Sequence, residues 1–144
     1  MILKNILENK PQGVVTVPPG LKVNEIIAVL VEKGIGAVLV VDDENGLVGI
    51  LSERDIVRGF SQCAASVFEM TAADLMTSNP VSAATSTSVD AAMEMMTTGH
   101  FRHLPVVESD KLFGVVSIGD VVKAQLDQRQ HELERMKTYV AGGI

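Results

Sequence analysis

Two stretches of this chain, Gly49-Ile50-Leu51-Ser52-Glu53-Arg54-Asp55 and Gly114-Val115-Val116-Ser117-Ile118-Gly119-Asp120, are near copies of one another. Each reads as the end of a buried strand, then a Ser that opens a helix, then an Asp on that helix's first turn. Working outward, Val23 aligns with Val89 and Val40-Val41 with Val106-Val107 at one constant spacing. Gly49/Gly114, Ser52/Ser117 and Asp55/Asp120 align at a spacing one residue shorter. The slip falls where Asp42-Asp43-Glu44-Asn45-Gly46 stands against Glu108-Ser109-Asp110-Lys111. That is hairpin-turn chemistry, where a residue can be lost without changing which face either strand presents.

Each repeat reads as β-α-β-β-α. Short extended segments are expected at 14–17 and around Val81. A helix over 24–33 carries Ile26, Ile27, Leu30 and Val31 on one face and stops at Gly34. Its counterpart over 89–98 presents Ala92, Met93 and Met96, is capped by Ser88 and stops at Gly99. Lys22 stands where Ser88 stands, so the first of these helices lacks a side-chain cap. Strands 37–41 and 104–107 pair as hairpins with 47–51 and 112–116, and the helices after Ser52 and Ser117 close each unit. One unit buries too little surface to stand alone, and two packed by their sheets share a core. The expected class is therefore α+β, with α/β character.

By sequence order, residues 1–64 hold the first repeat with an N-terminal helix, 65–80 a connector with a short helix near 72–76, 81–128 the second repeat and 129–144 a helical tail. The last helix is expected from Ile118 to about Lys137, with Ala141-Gly142-Gly143 fraying. Its stripe of Val122, Leu126, Leu133, Met136 and Val140 either lies across its own domain or packs on a second subunit.

At 144 residues the chain has the size of one domain, and its 47% hydrophobic content with only 3% aromatics makes an aliphatic core. A formal charge of −6 with no Lys/Arg stripe argues against nucleic acid. Cys63 is the single cysteine, so neither a disulfide framework nor a cysteine zinc site can form within the chain. The opening residues mix charge into apolar positions at helical spacing, unlike a signal peptide, and no apolar run reaches membrane-spanning length. A cytoplasmic protein without membrane contact is the expectation.

Ser-x-x-Asp is a capping pattern and needs no ligand to explain it. Duplicated directly after Gly and two apolar residues, it also fits a second use. A first-turn carboxylate can accept bonds from a vicinal diol, beside a helix N-terminus that favours an anion. Phe101-Arg102-His103-Leu104-Pro105-Val106 enters a strand of the second repeat where the first has the uncharged Ile35-Gly36-Ala37-Val38-Leu39-Val40. Arg102 offers a fork suited to phosphate and His103 a further donor, or both are simply a solvated strand end. Arg54 is a third candidate cation. His100 and His103 show no partnered carboxylate, and no metal site is expected.

The repeat order, the doubled corner and the Arg-His-Leu-Pro-Val-Val strand resemble the cystathionine-β-synthase (CBS) domain family. The whole is similar to a tandem CBS pair of the stand-alone bacterial kind, over roughly residues 10–128. That resemblance implies two repeats packed by their sheets about a pseudo-twofold axis, with two clefts for adenosine-containing ligands such as AMP, ATP or NAD(H). It implies that Asp55 and Asp120 hold ribose hydroxyls, helped by Ser52 and Ser117. The Asp120 cleft is then lined by Val115, Val15, Ile35 and Gly36. The Asp55 cleft is lined by Ile50, Val81 and Phe101, with Arg102, His103 and Arg54 toward phosphate. It further implies a homodimer through the CBS helices, and the stripe on the C-terminal helix offers a further route to that contact.

The leading expectation is a non-catalytic adenine-nucleotide sensor acting on an unknown downstream partner. The alternative is an interaction scaffold whose clefts are vestigial. Catalysis is not expected: the sequence offers no Ser-His-acid set, metal cluster, Walker loop or dinucleotide-fold glycine pattern.

Overall fold

The computed structural model describes residues 1–10 and 13–142. Apolar residues at helical spacing form α2 (Val23–Lys33), which buries Val23, Ile26 and Leu30 and ends on the left-handed Gly34. It packs over a sheet in which β1 (Thr16–Val17) lies parallel to β2 (Ala37–Asp42), and β2 antiparallel to β3 (Gly46–Ser52). From Ser52 the chain enters α3 (Glu53–Cys63), then a 3-10 turn over Ala64–Glu69 and the short α4 (Ala72–Leu75). A two-residue strand β4 (Thr77–Ser78) then pairs with β3, completing the sheet order β1-β2-β3-β4.

The second half repeats the plan with α5 (Val89–Gly99), β5 (His103–Glu108), β6 (Lys111–Ser117) and α6 (Ile118–Gly142). Both hairpins carry a register shift at the aligned place, between Val40 and Val41 and between Val106 and Val107. The sequence slip is a change of turn. Asp42 pairs with Gly46 across three residues, whereas Glu108 pairs with Lys111 across Ser109 and Asp110 alone. Both of those have positive φ, at 51° and 61°, which is the two-residue turn whose twist matches antiparallel strands. The halves meet through a third apolar cluster in which Ala37, Leu39 and Ile50 pack against Leu112 and Val115.

The helices ahead of each repeat cross over. A helix α1 (Leu3–Glu8), grouped with the first repeat by sequence order, places Leu3 and Ile6 in the second half's core with Val89, Met96, Leu104 and Val116. Helix α4, from the connector, places Ala72 in the first half's core with Ile26, Val38 and Leu51. The crossing also supplies what Lys22 lacks: Val23 N–H donates to Met70 C=O at 2.8 Å, and Val89 N–H to Met1 C=O at 3.1 Å. Each helix start is thus tied by a bridge from the other half's leading segment. The glycines of the doubled corner are seats for these crossing helices. A Cβ on Gly114, whose φ is +152°, would stand 3.0 Å from Leu7 Cδ2 of α1. One on Gly49 would strike Met76, the residue that ends α4.

Three sequence expectations are corrected. Helix α5 runs through Gly99, and His100 takes the left-handed cap with φ 57°, in the place Gly34 holds in the first half. Histidine adopts that conformation more readily than most side chains, and its N–H reaches Met96 C=O. The segment around Val81 is not a strand: only Ala83 bridges to Val106, so the second sheet is two-stranded. Helix α6 continues past Lys137 to Gly142, because its distal half is rich in Gln, Glu, Leu, Arg, Met and Lys. Ala141 and Gly142 therefore belong to the helix rather than to a frayed end, while Gly143 lies outside the described residues.

Candidate functional site

Both corners are built the same way. Glu53 N–H donates to Gly36 C=O at 3.0 Å, and Ile118 N–H to Arg102 C=O at 2.8 Å, so each helix start is pinned to the entrance of its neighbouring strand. Asp55 Oδ2 accepts from Ser52 N–H at 2.9 Å and from the Ser52 hydroxyl at 3.1 Å. Asp120 Oδ2 accepts from Ser117 N–H at 2.8 Å, and Asp120 N–H donates back to Ser117 Oγ at 3.1 Å. The capping reading of Ser-x-x-Asp is therefore correct for both, and it consumes only Oδ2. A third copy, Thr71 with Asp74 on α4, makes the same cap (2.9 Å from Thr71 N–H), which holds the Asp74 carboxyl below its ordinary value. Asp74 lines neither of the two clefts that Asp55 and Asp120 line.

The Asp55 cleft has a volume of about 750 Å³. Ile50 and Ser52 form its floor from the first half, with Arg54 and Asp55 on α3. The second half contributes Val81, Phe101, Arg102 and His103. Sequence reasoning missed Glu53, Arg58, Thr77, Asn79 and His100, which also line it. Arg58 was readable in principle. It follows Asp55 by one helical turn, and its guanidinium lies 3.7 Å from Asp55 Oδ1. Asn79 was not, because its position depends on β4 joining the first sheet.

The Asp120 cleft is smaller, about 220 Å³, and gathers Val15, Ile35, Gly36, Val115, Ser117 and Asp120. Gly13, Gly34 and Ala37 line it unforeseen, and so does Lys10, whose ammonium stands 2.8 Å from Asp120 Oδ2 and 2.9 Å from Val115 C=O. Burial pushes the Asp120 carboxyl up. The Lys10 bond, the Ser117 N–H and the Lys10 charge together outweigh it and hold the group below its ordinary value.

Gly36 and His103 line both clefts, so His103 is not confined to the Asp55 side. A Cβ on Gly36 would stand 3.1 Å from His103 Nε2 and 3.2 Å from Glu53 Oε1, so this glycine leaves room for the ring. Burial lowers the His103 pKa, Glu53 and Asp120 pull it up, and Lys10 and Arg102 push it down. The net effect is a neutral imidazole at neutral pH, a donor and an acceptor between the two clefts.

Among the described residues no helix is long and apolar enough to cross a membrane, and no three metal-ligating side chains converge. The predicted stripe on α6 is not covered by its own chain. Val121 and Ala124 face the core, while Leu126, Met136 and Val140 are at least 60% exposed.

The profile described as CBS domain matches this chain twice, over residues 10–62 and 72–127. A CBS-domain containing protein of known structure from Agrobacterium tumefaciens is 39% identical, with a TM-score of 0.82 over 87% of this chain and 99% of that one. CBSX2, solved in complex with AMP, is 29% identical with a TM-score of 0.73, over 88% of this chain and 97% of that one. The mitochondrial CBS domain-containing protein CBSX3 of Arabidopsis thaliana is 33% identical over 125 residues. The match takes in 84% of this chain and spans 61% of that relative's length.

Proposed function

This chain belongs to the CBS-domain family, and from that membership we propose that it is a non-catalytic sensor taking an adenosine-containing ligand, of the AMP, ATP or NAD(H) kind, beside Asp55. The observation that carries this is a carboxylate whose Oδ2 is held by its cap while Oδ1 keeps no hydrogen bond among the described residues, in a cleft shared by both halves. A volume of about 750 Å³ lies within the roughly 300–1,000 Å³ of small-molecule sites. Ile50, Val81 and Phe101 suit an adenine ring, and Arg54, Arg58 and Arg102 offer three guanidiniums for phosphate. A ligand touching both halves biases the arrangement it fits better, which is how binding becomes a signal.

Arg102 gives the test. Isothermal titration of wild type is expected to show AMP bound more tightly than adenosine, and Arg102→Ala to reduce that preference about tenfold, the scale of one charge-assisted hydrogen bond. An unchanged preference removes Arg102 from the site. Absence of binding by both compounds favours the scaffold instead.

The same reading extends to assembly. Val31, Val57 and Phe60 on the first half's helices and Leu126, Leu133, Met136, Tyr139 and Val140 on α6 are large apolar side chains left exposed, and clustered exposed apolar residues mark interaction surfaces. A second copy is the partner that matches these faces. Sedimentation should give about twice 15.4 kDa, and Leu133→Glu with Met136→Glu should halve it. A wild-type monomer at micromolar concentration contradicts the dimer.

A further inference from the structure

We infer that the Asp120 cleft is latched by Lys10, whose ammonium occupies the place of the sugar hydroxyls, so that one chain takes one ligand, at Asp55. The inference rests on the nucleotide reading above and concerns what makes two copies of one corner behave differently. Asp120 Oδ2 already accepts from Ser117 N–H and from Lys10 Nζ, each at 2.8 Å. The same ammonium donates to Val115 C=O at 2.9 Å and so spans the cleft from its acid to its floor strand. Both side chains are only 26% exposed, so the pair is partly desolvated and stronger than an ion pair in open water. Asp120 Oδ1, like Asp55 Oδ1, keeps no hydrogen bond among the described residues, so what separates the two corners is the cation: a neutral diol entering there must share its carboxylate with a bound ammonium that already fills the approach. The remaining space, about 220 Å³, falls below the usual range for a small-molecule site, against about 750 Å³ beside Asp55.

The asymmetry is written in the two crossing segments. Lys10 lies on the stretch that carries the chain from α1, packed on the second half, to β1 in the first. The corresponding stretch beside Asp55, residues 76–80, reads Met-Thr-Ser-Asn-Pro and holds no cation. Asp55 has instead Arg58, at 3.7 Å from Oδ1 and largely exposed, a contact too long to be a hydrogen bond. A lysine in the crossing segment closes one cleft, and a segment without one leaves the other open.

Calorimetric stoichiometry of the full chain with adenosine and with AMP tests this. Wild type is expected to bind one molecule of either probe, and Asp55→Asn to bind it at least tenfold more weakly. Lys10→Met is expected to bind two molecules of adenosine; Lys10→Gln, which keeps a donor for Val115 C=O, should do the same if the methionine variant folds poorly. Two ligands on wild type, or one ligand bound at wild-type affinity by Asp55→Asn with Lys10 intact, overturns the latch while leaving the nucleotide reading standing. A folded Lys10→Met chain that takes only one adenosine also overturns it. No binding of either probe to any chain overturns the nucleotide reading, and the latch with it.

Discussion

Asp55→Asn is expected to weaken AMP binding by one to two orders of magnitude while the chain still folds. Hydrogen bonds to a charged acceptor contribute about 1.5–3 kcal/mol each, and each 1.4 kcal/mol is tenfold in affinity. Asparagine keeps the size of the side chain but loses its charge. It also turns one of the two carboxylate oxygens into a donor, so either the cap or the ribose-facing acceptor is lost. The cost to the fold is smaller, because only the cap from Ser52 to Asp55 Oδ2 is at stake, about 1 kcal/mol or a few degrees in melting temperature. Asp74→Asn is the matched control: it carries the same capping box on α4, lies outside the Asp55 cleft, and should leave affinity unchanged. Ligand-induced stabilisation gives a second readout, since AMP at a hundred times its dissociation constant should add about 2.7 kcal/mol to wild type. If Asp55→Asn binds AMP within twofold of wild type, Asp55 is a helix cap and nothing more.

What could be read from the sequence was whatever local chemistry decides. The doubled corner, the hairpins and the α5 cap by Ser88 all rest on residues within a few positions of one another, and they stand in the structure where the pattern puts them. The residues drawn to each cleft by resemblance are gathered around one hollow apiece, with Gly36 and His103 shared. Illegible features depend on partners far away in the chain. Helix α1 shows two buried apolar residues and no hint of which half receives them. Lys22 looks like a missing cap only until Met70 arrives from the connector. Lys10 belongs to no motif, and its meaning appears only when the crossing segment passes within reach of an acid more than a hundred positions on. His100 as a cap was hidden by Gly99, which looked like the natural stop and is instead the last residue of α5.

The crossing helices make the second large expectation, that Leu3→Ala weakens the half of the molecule to which Leu3 does not belong in sequence. Leu3 is fully buried among Val89, Ala92, Met96, Leu104 and Val116, all of the second half. Removing its side chain leaves a cavity that short α1, pinned by Leu3 N–H to Thr87 C=O at 2.9 Å, cannot slide to fill. Such a change costs about 2–5 kcal/mol, a large share of the about 5–15 kcal/mol that holds a typical domain together. Amide exchange should therefore quicken first in α5, β5 and β6, with β2 and β3 protected until the whole chain opens. Acceleration confined to β2 and β3, or spread evenly from the start, would mean that α1 is no part of the second half's core. The same substitution reaches the latch, because α1 leads directly into Lys10. A loosened α1 lets the ammonium leave Asp120, so Leu3→Ala should shift adenosine stoichiometry in the direction of Lys10→Met. Stability of one half and access to its cleft are then set by the same six-residue helix.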